Sequence, residues 1–309
     1  MTAPPYALVT KTYRGDLASF AELCGSIDRF APGVRHIVVV DHADMELFAR
    51  FSGPFRQVID ASAYLPELRE FTVLGQRLWL HGWRRPVRGW IYQQLAKIAV
   101  VAALDERAVV LIDSDSRMIA PLSADEIFSG VMVRFFRDPG APSGPVAKSP
   151  KWHDAAAYAL GLPLNGYTGA DYIAGAVVWS PDVVRMMVRQ IERHHGGEWI
   201  EPLLRRLRFS EYVLYGIFCE HVQGPHRKLV CPTERELSHC SWKYKFTRSE
   251  EVDRFLADLT TDASVVLVQS NLQMTKGEID RIFERVAIRQ AELLSDQAVA
   301  QQPGMLTAE

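Results

Sequence analysis

No apolar run in this chain of 309 residues approaches the ~20 residues that a membrane-spanning helix needs, so no spanning helix is expected. The glycine cradles that hold phosphates are missing too. No G-x-G-x-x-G follows the first strand, and no G-x-x-x-x-G-K-[ST] occurs anywhere, which excludes the usual dinucleotide and P-loop readings. Cysteine is scarce: four residues (Cys24, Cys219, Cys231, Cys240) with no C-x-x-C pair predict free thiols in a reducing compartment rather than a disulfide framework. Cys219, His221, Cys231, His239 and Cys240 match no familiar zinc spacing. A formal net charge of −2 provides no general drive toward nucleic acid or an anionic surface. The first residues, Met1-Thr-Ala-Pro-Pro-Tyr6, hold no basic region followed by an apolar core. The expectation is a cytoplasmic protein, with peripheral membrane contact left open. No internal repeat and no Pro/Ser linker marks a boundary.

A hydrophobic content of 48% and a charged content of 23% are those of a globular chain able to bury a large core. Tyr6–Thr10 reads as a first strand, after which Asp16 caps a helix whose Leu17, Phe20, Ala21, Cys24 and Ile27 keep helical spacing. Residues 36–41 and 57–60 are further strand-like runs, each closing on an acid (Asp41, Asp60). Strand, helix, strand, strand in this order opens a doubly wound α/β sheet. From 64 to 89 the periodicity is lost, and a long loop dense in tryptophan and arginine is expected, either holding a phosphate or a sugar ring or serving as a solvated connector with aromatic packing. Residues 91–104 form a helix that is apolar almost all round. Helix 151–160 lies between two loops, 137–150 and 161–169. Residues 170–179 read as a strand, with Gly175 marking a bulge or a close backbone approach. Ser180-Pro181 and Ser210-Glu211 open helices. His239–Trp242 reads as a polar turn, and Val265–Val268 as a buried strand. Ser123-x-x-Glu126 and Thr275-x-x-Glu278 are capping boxes. The second opens a last amphipathic helix, and a disordered tail is expected over 295–309.

The stretch with the most chemistry is Val109-Val110-Leu111-Ile112-Asp113-Ser114-Asp115. It is an apolar run that reads as a strand buried on both faces and ends on two acids one residue apart. In an open α/β sheet, ligands sit beyond the carboxyl ends of such strands, where carboxylates can bring a divalent cation and a phosphate together. Asp-rich turns also follow strands for conformational reasons alone. Just upstream, Gln93 and Lys97 share one face of the buried helix. A lysine there needs an anionic partner or a route for its chain to the surface.

The segments Gly89-Trp90-Ile91-Tyr92-Gln93-Gln94-Leu95-x-Lys97, Leu111-Ile112-Asp113-Ser114-Asp115 and Ser210-Glu211-Tyr212-x-Leu214-Tyr215-Gly216 together resemble the GT-A glycosyltransferases. More narrowly, they resemble an uncharacterised bacterial family of glycosyltransferase-like proteins. The resemblance implies a Rossmann-like, mixed but mostly parallel sheet flanked by helices. A single domain over residues 1–294 would carry a C-terminal helical extension. It also implies transfer of a sugar from a nucleotide-diphosphate sugar to a glycan or small-molecule hydroxyl, with Mn²⁺ or Mg²⁺ as cofactor. Asp115 would be the more direct metal ligand and Asp113 would contact metal or ribose. Thr10, Thr12, Tyr13 and Asp41 would lie near the base, with Gln93, Lys97 and Ser114 in the donor site. His239 is the candidate third metal ligand, with Gln269-Ser270-Asn271 as its rival. Glu211 or Asp171 would be the base of an inverting reaction; a retaining one needs none. Two alternatives stay open: a nucleotidyltransferase on the same fold, for which Thr12-Tyr13-Arg14-Gly15 is a poor triphosphate loop, and a non-catalytic sugar- or nucleotide-binding protein. Against a phosphatase with an Asp nucleophile stand Arg117 and the late position of the acidic strand.

Overall fold

The computed structural model describes residues 5–82, 86–139, 149–163, 169–222 and 228–300. Trp83, Arg84 and Arg85, most of the loop 137–150, and residues 164–168 and 301–309 lie outside them. The chain opens with strand β1 (Tyr6–Lys11), helix α1 (Leu17–Phe30), strand β2 (His36–Val40) and strand β3 (Arg56–Asp60). Two hairpin strands follow, β4 (Leu68–Val73) and β5 (Gln76–His81), then helix α2 (Gly89–Ala102), strand β6 (Ala108–Ile112) and the short β7 (Ser116–Met118). Helix α3 (Ser149–Leu160), strand β8 (Ala176–Trp179), helix α4 (Pro181–His195) and helix α5 (Glu211–His221) come next. Strand β9 (Ser238–Cys240), helix α6 (Ser249–Ala257), strand β10 (Val265–Leu267) and helix α7 (Lys276–Ala300) complete the set used below.

The central sheet runs β8-β6-β1-β2-β3. Its four N-terminal strands are parallel, and β8 is antiparallel to β6. Strands β1, β2 and β6 are buried along their whole length, as parallel strands covered on both faces must be. From β1 the chain winds outward through β2 and β3 and then returns to place β6 on the other side of β1, so the carboxyl ends of β1 and β6 open onto one crevice at a switch point. A second small sheet sets β9 parallel to β10 and β10 antiparallel to β7. One large hydrophobic cluster fills the space around the central sheet. A smaller one, with Phe255, Val266, Phe283 and Val286, lies between α6, β10 and α7.

Both capping boxes form. The Ser123 and Glu126 side chains and backbone N–H groups satisfy one another, and Thr275 and Glu278 do the same at the start of α7.

Four expectations change. The region expected to be one long loop from 64 holds the β4–β5 hairpin. Its two-residue turn, Leu74-Gly75, takes positive φ at both positions (49° and 77°), the conformation that matches the twist of paired strands. Leucine at the first of these gave no turn signal in the sequence. The expected strand 170–179 is interrupted: only Ala170–Asp171 and Ala176–Trp179 pair. Gly175 sits where a Cβ would come within 2.9 Å of the Cys240 sulfur, so the close approach is real. The expected polar turn at 239 begins as strand β9. Finally, helix α7 continues to Ala300, past the point where a disordered tail was expected.

Candidate functional site

The acidic turn is held from several sides. At the end of β6 the Asp113 N–H donates to the Gly175 carbonyl at 3.4 Å, and the Asp115 carbonyl accepts from Val268 N–H at 3.3 Å. The Asp115 carboxylate accepts from the Ser270 N–H at 2.9 Å. Ser114 turns the other way and donates to the Asp16 carboxylate at 2.7 Å. Asp16 therefore does not cap α1, as its position suggested, but brings a third carboxylate beside the pair. Burial, then the charges of Asp113 and Asp16, push the Asp115 carboxyl up to about 6, against the Ser270 N–H and the residue's own N–H. Burial also raises Asp16, with Asp113 adding to it and Ser114 opposing. Tyr13 is raised first by Asp16, then by burial and by Asp115. Charge on Asp115 and Asp16 is thus held only at a cost.

Across from it, Lys97 supplies the balancing cation. Its Nζ lies 3.0 Å from Asp113, 3.0 Å from Glu211 and 2.7 Å from the Tyr212 hydroxyl. Burial alone would lower this lysine, but Asp113, Tyr212 and Glu211 outweigh it and hold the ammonium well above its ordinary value. The partner that a buried lysine needs is thus double. Gln94 places the helix that carries Glu211 and Tyr212. Its amide oxygen accepts the Glu211 N–H at 3.1 Å, and its amide nitrogen donates to the Trp90 carbonyl at 3.2 Å. Ser210 closes the same helix start by accepting from Val213 N–H at 3.4 Å.

The crevice so formed is lined by Tyr13, Gln93, Lys97, Asp113, Ser114, Asp115 and Glu211 from the expected set, and by Ser270 from the rival to His239. It also takes in Lys11, Asp16, Gln94, Tyr212, Trp90 and Trp152, which sequence reasoning did not single out. Gln94 and Tyr212 stood inside motifs that were read for their neighbours. Asp16 was hidden behind a plausible capping role.

Five expected residues lie elsewhere. Thr10 is fully buried, with its hydroxyl 3.1 Å from His36 Nε2. Arg56 donates to the other ring nitrogen at 3.0 Å, so Nε2 carries the proton and Thr10 accepts it. Asp41 is locked between Lys11 at 2.7 Å and Arg77 at 3.2 Å. Asp171 accepts its neighbour's N–H, from Tyr172, at 2.7 Å and faces Asp138 in a short ladder. His239 points into the smaller hydrophobic cluster, its Nε2 2.7 Å from the Phe255 carbonyl and its ring 4.3 Å from that phenyl. Side chains alternate along a strand, so Ser238 and Cys240 face the opposite way to His239, and Cys240 is the one that meets Gly175. Thr12 is buried at the β1 end, with no hydrogen-bond partner for its hydroxyl among the described residues. None of Thr10, Thr12, Asp41, Asp171 or His239 lines the crevice.

Among the described residues, no group of three or more His, Cys, Asp or Glu side chains is arranged to hold a metal ion. The donor set does fit a hard divalent cation shared with a ligand. Mg²⁺ in particular is usually bound by one or two carboxylates together with substrate phosphates, and Asp113 and Asp115 offer oxygen ligands with charge to spare.

Comparison with known proteins places this geometry in context. A sequence comparison with curated proteins gives no match. Among solved structures, an active-site mutant of LgtC superposes with a TM-score of 0.50 at 12% identity, over 91% of this chain and 95% of that one. The galactosyltransferase LgtC in complex with donor and acceptor sugar analogs gives 0.49 at 12% identity over the same shares. Mouse xyloside xylosyltransferase 1 in its apo form gives 0.46 at 13%, over 87% and 99%. The chain has the GT-A fold, glycosyltransferase-like in architecture, and the expected mixed, mostly parallel sheet is present. No helix among the described residues is long and apolar enough to cross a membrane. Residues 5–289 match a family of unknown function (DUF6492), and the chain belongs to it.

Proposed function

We propose that this protein is a metal-dependent glycosyltransferase that moves a sugar from a nucleotide-diphosphate sugar to a hydroxyl on a glycan or small-molecule acceptor. The observation that carries this reading is the acidic turn at the switch point, where Asp113, Asp115 and Asp16 crowd together and Asp115 is pushed up to about 6. Such crowding costs energy unless a ligand compensates it. Asp113 and Asp115 would hold a Mn²⁺ or Mg²⁺ ion, which when bound neutralises charge on a departing diphosphate. Lys97 fixes the Asp113 carboxylate through its 3.0 Å contact and keeps Tyr212 beside it. Tyr13, exposed at the β1 end, flanks the nucleoside side, and Ser114 and Gln93 complete the donor site, Gln93 where the transferred sugar would meet the acceptor. Of the two base candidates only Glu211 lines the crevice. If the reaction inverts configuration, the acceptor's proton goes to Glu211; a retaining reaction leaves that carboxylate as the anchor of Lys97.

Calorimetry tests this with UDP, GDP and CMP, with and without Mn²⁺, on the wild type and on Asp115→Ala. The expected result is Mn²⁺-dependent binding of one diphosphate, lost in the variant. Absence of binding to every nucleotide would refute the transferase and favour a sugar-binding protein.

A further inference from the structure

We propose that Trp90 and Trp152 form a stacking platform for a pyranose ring of the acceptor, beside the acidic turn; this rests on the transferase reading above. Trp90 sits in the first turn of α2 and stays 51% exposed, although it lines the crevice. An exposed indole at the mouth of a polar cleft lacks the burial that normally stabilises so large an apolar surface. Trp152, on α3, comes to a ring-centroid distance of 6.3 Å from it at a 36° tilt, and Ile173 lines the same crevice. Gln93 lies three residues on from Trp90 and so on the same face of the helix. Its amide both donates and accepts. An apolar face with an amide at its edge suits a ligand with C–H groups on one face and hydroxyls around its rim, which is the chemistry of a sugar ring.

The location selects the acceptor rather than the nucleoside. Lys97, which touches Asp113, is seven residues beyond Trp90, or about 10 Å along the helix axis. A ring on the indoles therefore sits beside the acids and not on them. The sheet order puts β8 and β1 on opposite flanks of β6. Ile173, just before β8, is on one side of Asp113. Tyr13 and Lys11, at the end of β1, are on the other, where the nucleoside is proposed to lie.

Saturation-transfer NMR on the full chain tests this with a panel of methyl pyranosides, with and without UDP and Mn²⁺. The variants are Trp90→Ala, Trp90→Phe and Trp152→Ala; Trp90 is half exposed, so its truncation leaves the core intact. The expected result is saturation of the C–H face of at least one pyranoside. Its affinity should fall about tenfold or more in Trp90→Ala and in Trp152→Ala, and recover in part in Trp90→Phe, with nucleotide affinity within twofold of wild type. Normal nucleotide binding with no pyranoside bound would overturn the platform and leave the transferase reading standing. A loss of nucleotide affinity in Trp90→Ala with pyranoside binding intact would overturn it too, by assigning the indoles to the base. Pyranoside binding that depends on Trp90 in a protein that binds no nucleotide would uphold the platform while the transferase reading fails.

Discussion

Glu236 is a carboxyl group with little to hold its charge. It accepts from Ser238 at 3.3 Å and from the Cys240 thiol at 3.7 Å, yet burial pushes it up to about 7, against those bonds and Lys243. A carboxyl raised in the folded state above its ordinary 4.5 favours folding fully below the unfolded value. It loses that contribution as pH rises through about 7. Glu236→Gln keeps the neutral shape at every pH. Thermal unfolding should therefore show the variant matching wild type near pH 4 and exceeding it at pH 8 by about 1–3 kcal/mol. Equal stability at both pH values would show that Glu236 is not strained in this way. Asp115 has the same sign of shift, but there the charge has a proposed use, which separates a tolerated strain from a functional one.

At the scale of elements, the contact between α2 and α5 sets the catalytic geometry we propose. Gln93 and Gln94 are adjacent in sequence but about 100° apart around the helix, so they do different things. Gln94 turns inward and receives the first N–H of α5, while Gln93 faces the crevice. Gln94→Ala leaves a buried N–H without an acceptor, at a cost of about 1–3 kcal/mol, and loosens Glu211 and Tyr212 against Lys97. Gln93→Ala should change stability by less than about 0.5 kcal/mol. Urea midpoints compare the two, and equal losses would contradict the assignment. Gly216, one turn on from Tyr212 in α5, shows the same tight fit: an added Cβ would fall 2.2 Å from the Tyr172 ring.

For the molecule as a whole, the β4–β5 hairpin is an element held by contacts from distant parts of the chain. Trp79 stacks on Tyr92 at 4.1 Å between ring centroids. His81 reaches Glu198 at 2.8 Å, and Arg77 clamps the far end onto Asp41 and Asp44. Asp44 is wholly buried. Burial would raise its carboxyl, but bonds from Arg14 and from Arg77 bring it below the ordinary value, so that contribution fades as pH falls. Removing one partner of a buried ion pair costs about 3–5 kcal/mol. Arg77→Ala should lose only part of that, because Arg14 remains on Asp44 and Lys11 on Asp41. Amide exchange should then quicken over residues 68–81 ahead of the central sheet. Uniform protection in wild type and variant would show that the clamp does not hold the hairpin.

The sequence by itself determined the strands that are apolar end to end, because a strand buried on both faces leaves a continuous hydrophobic run: β1, β2 and β6 were legible in this way. It also determined the capping boxes, which are local, and the acidic turn closing β6. Gly175 announced a close approach without saying to what. Tertiary structure decided everything that depends on distant partners. The hairpin's turn uses Leu74-Gly75, and a leucine in the first left-handed position hid a turn that Gly75 alone did not advertise. Asp16 reads as a helix cap until Ser114, from far along the chain, takes its carboxylate. His239 looked like a ligand by order along the chain, but the alternation of its strand turns it into a hydrophobic cluster. Gln94, Tyr212, Lys11 and Trp152 carry no signal of their own, since their roles exist only once α2, α3, α5 and the end of β1 meet around one crevice. Residue order fixes which groups the chain can present, and packing between elements fixes which of them face the same space.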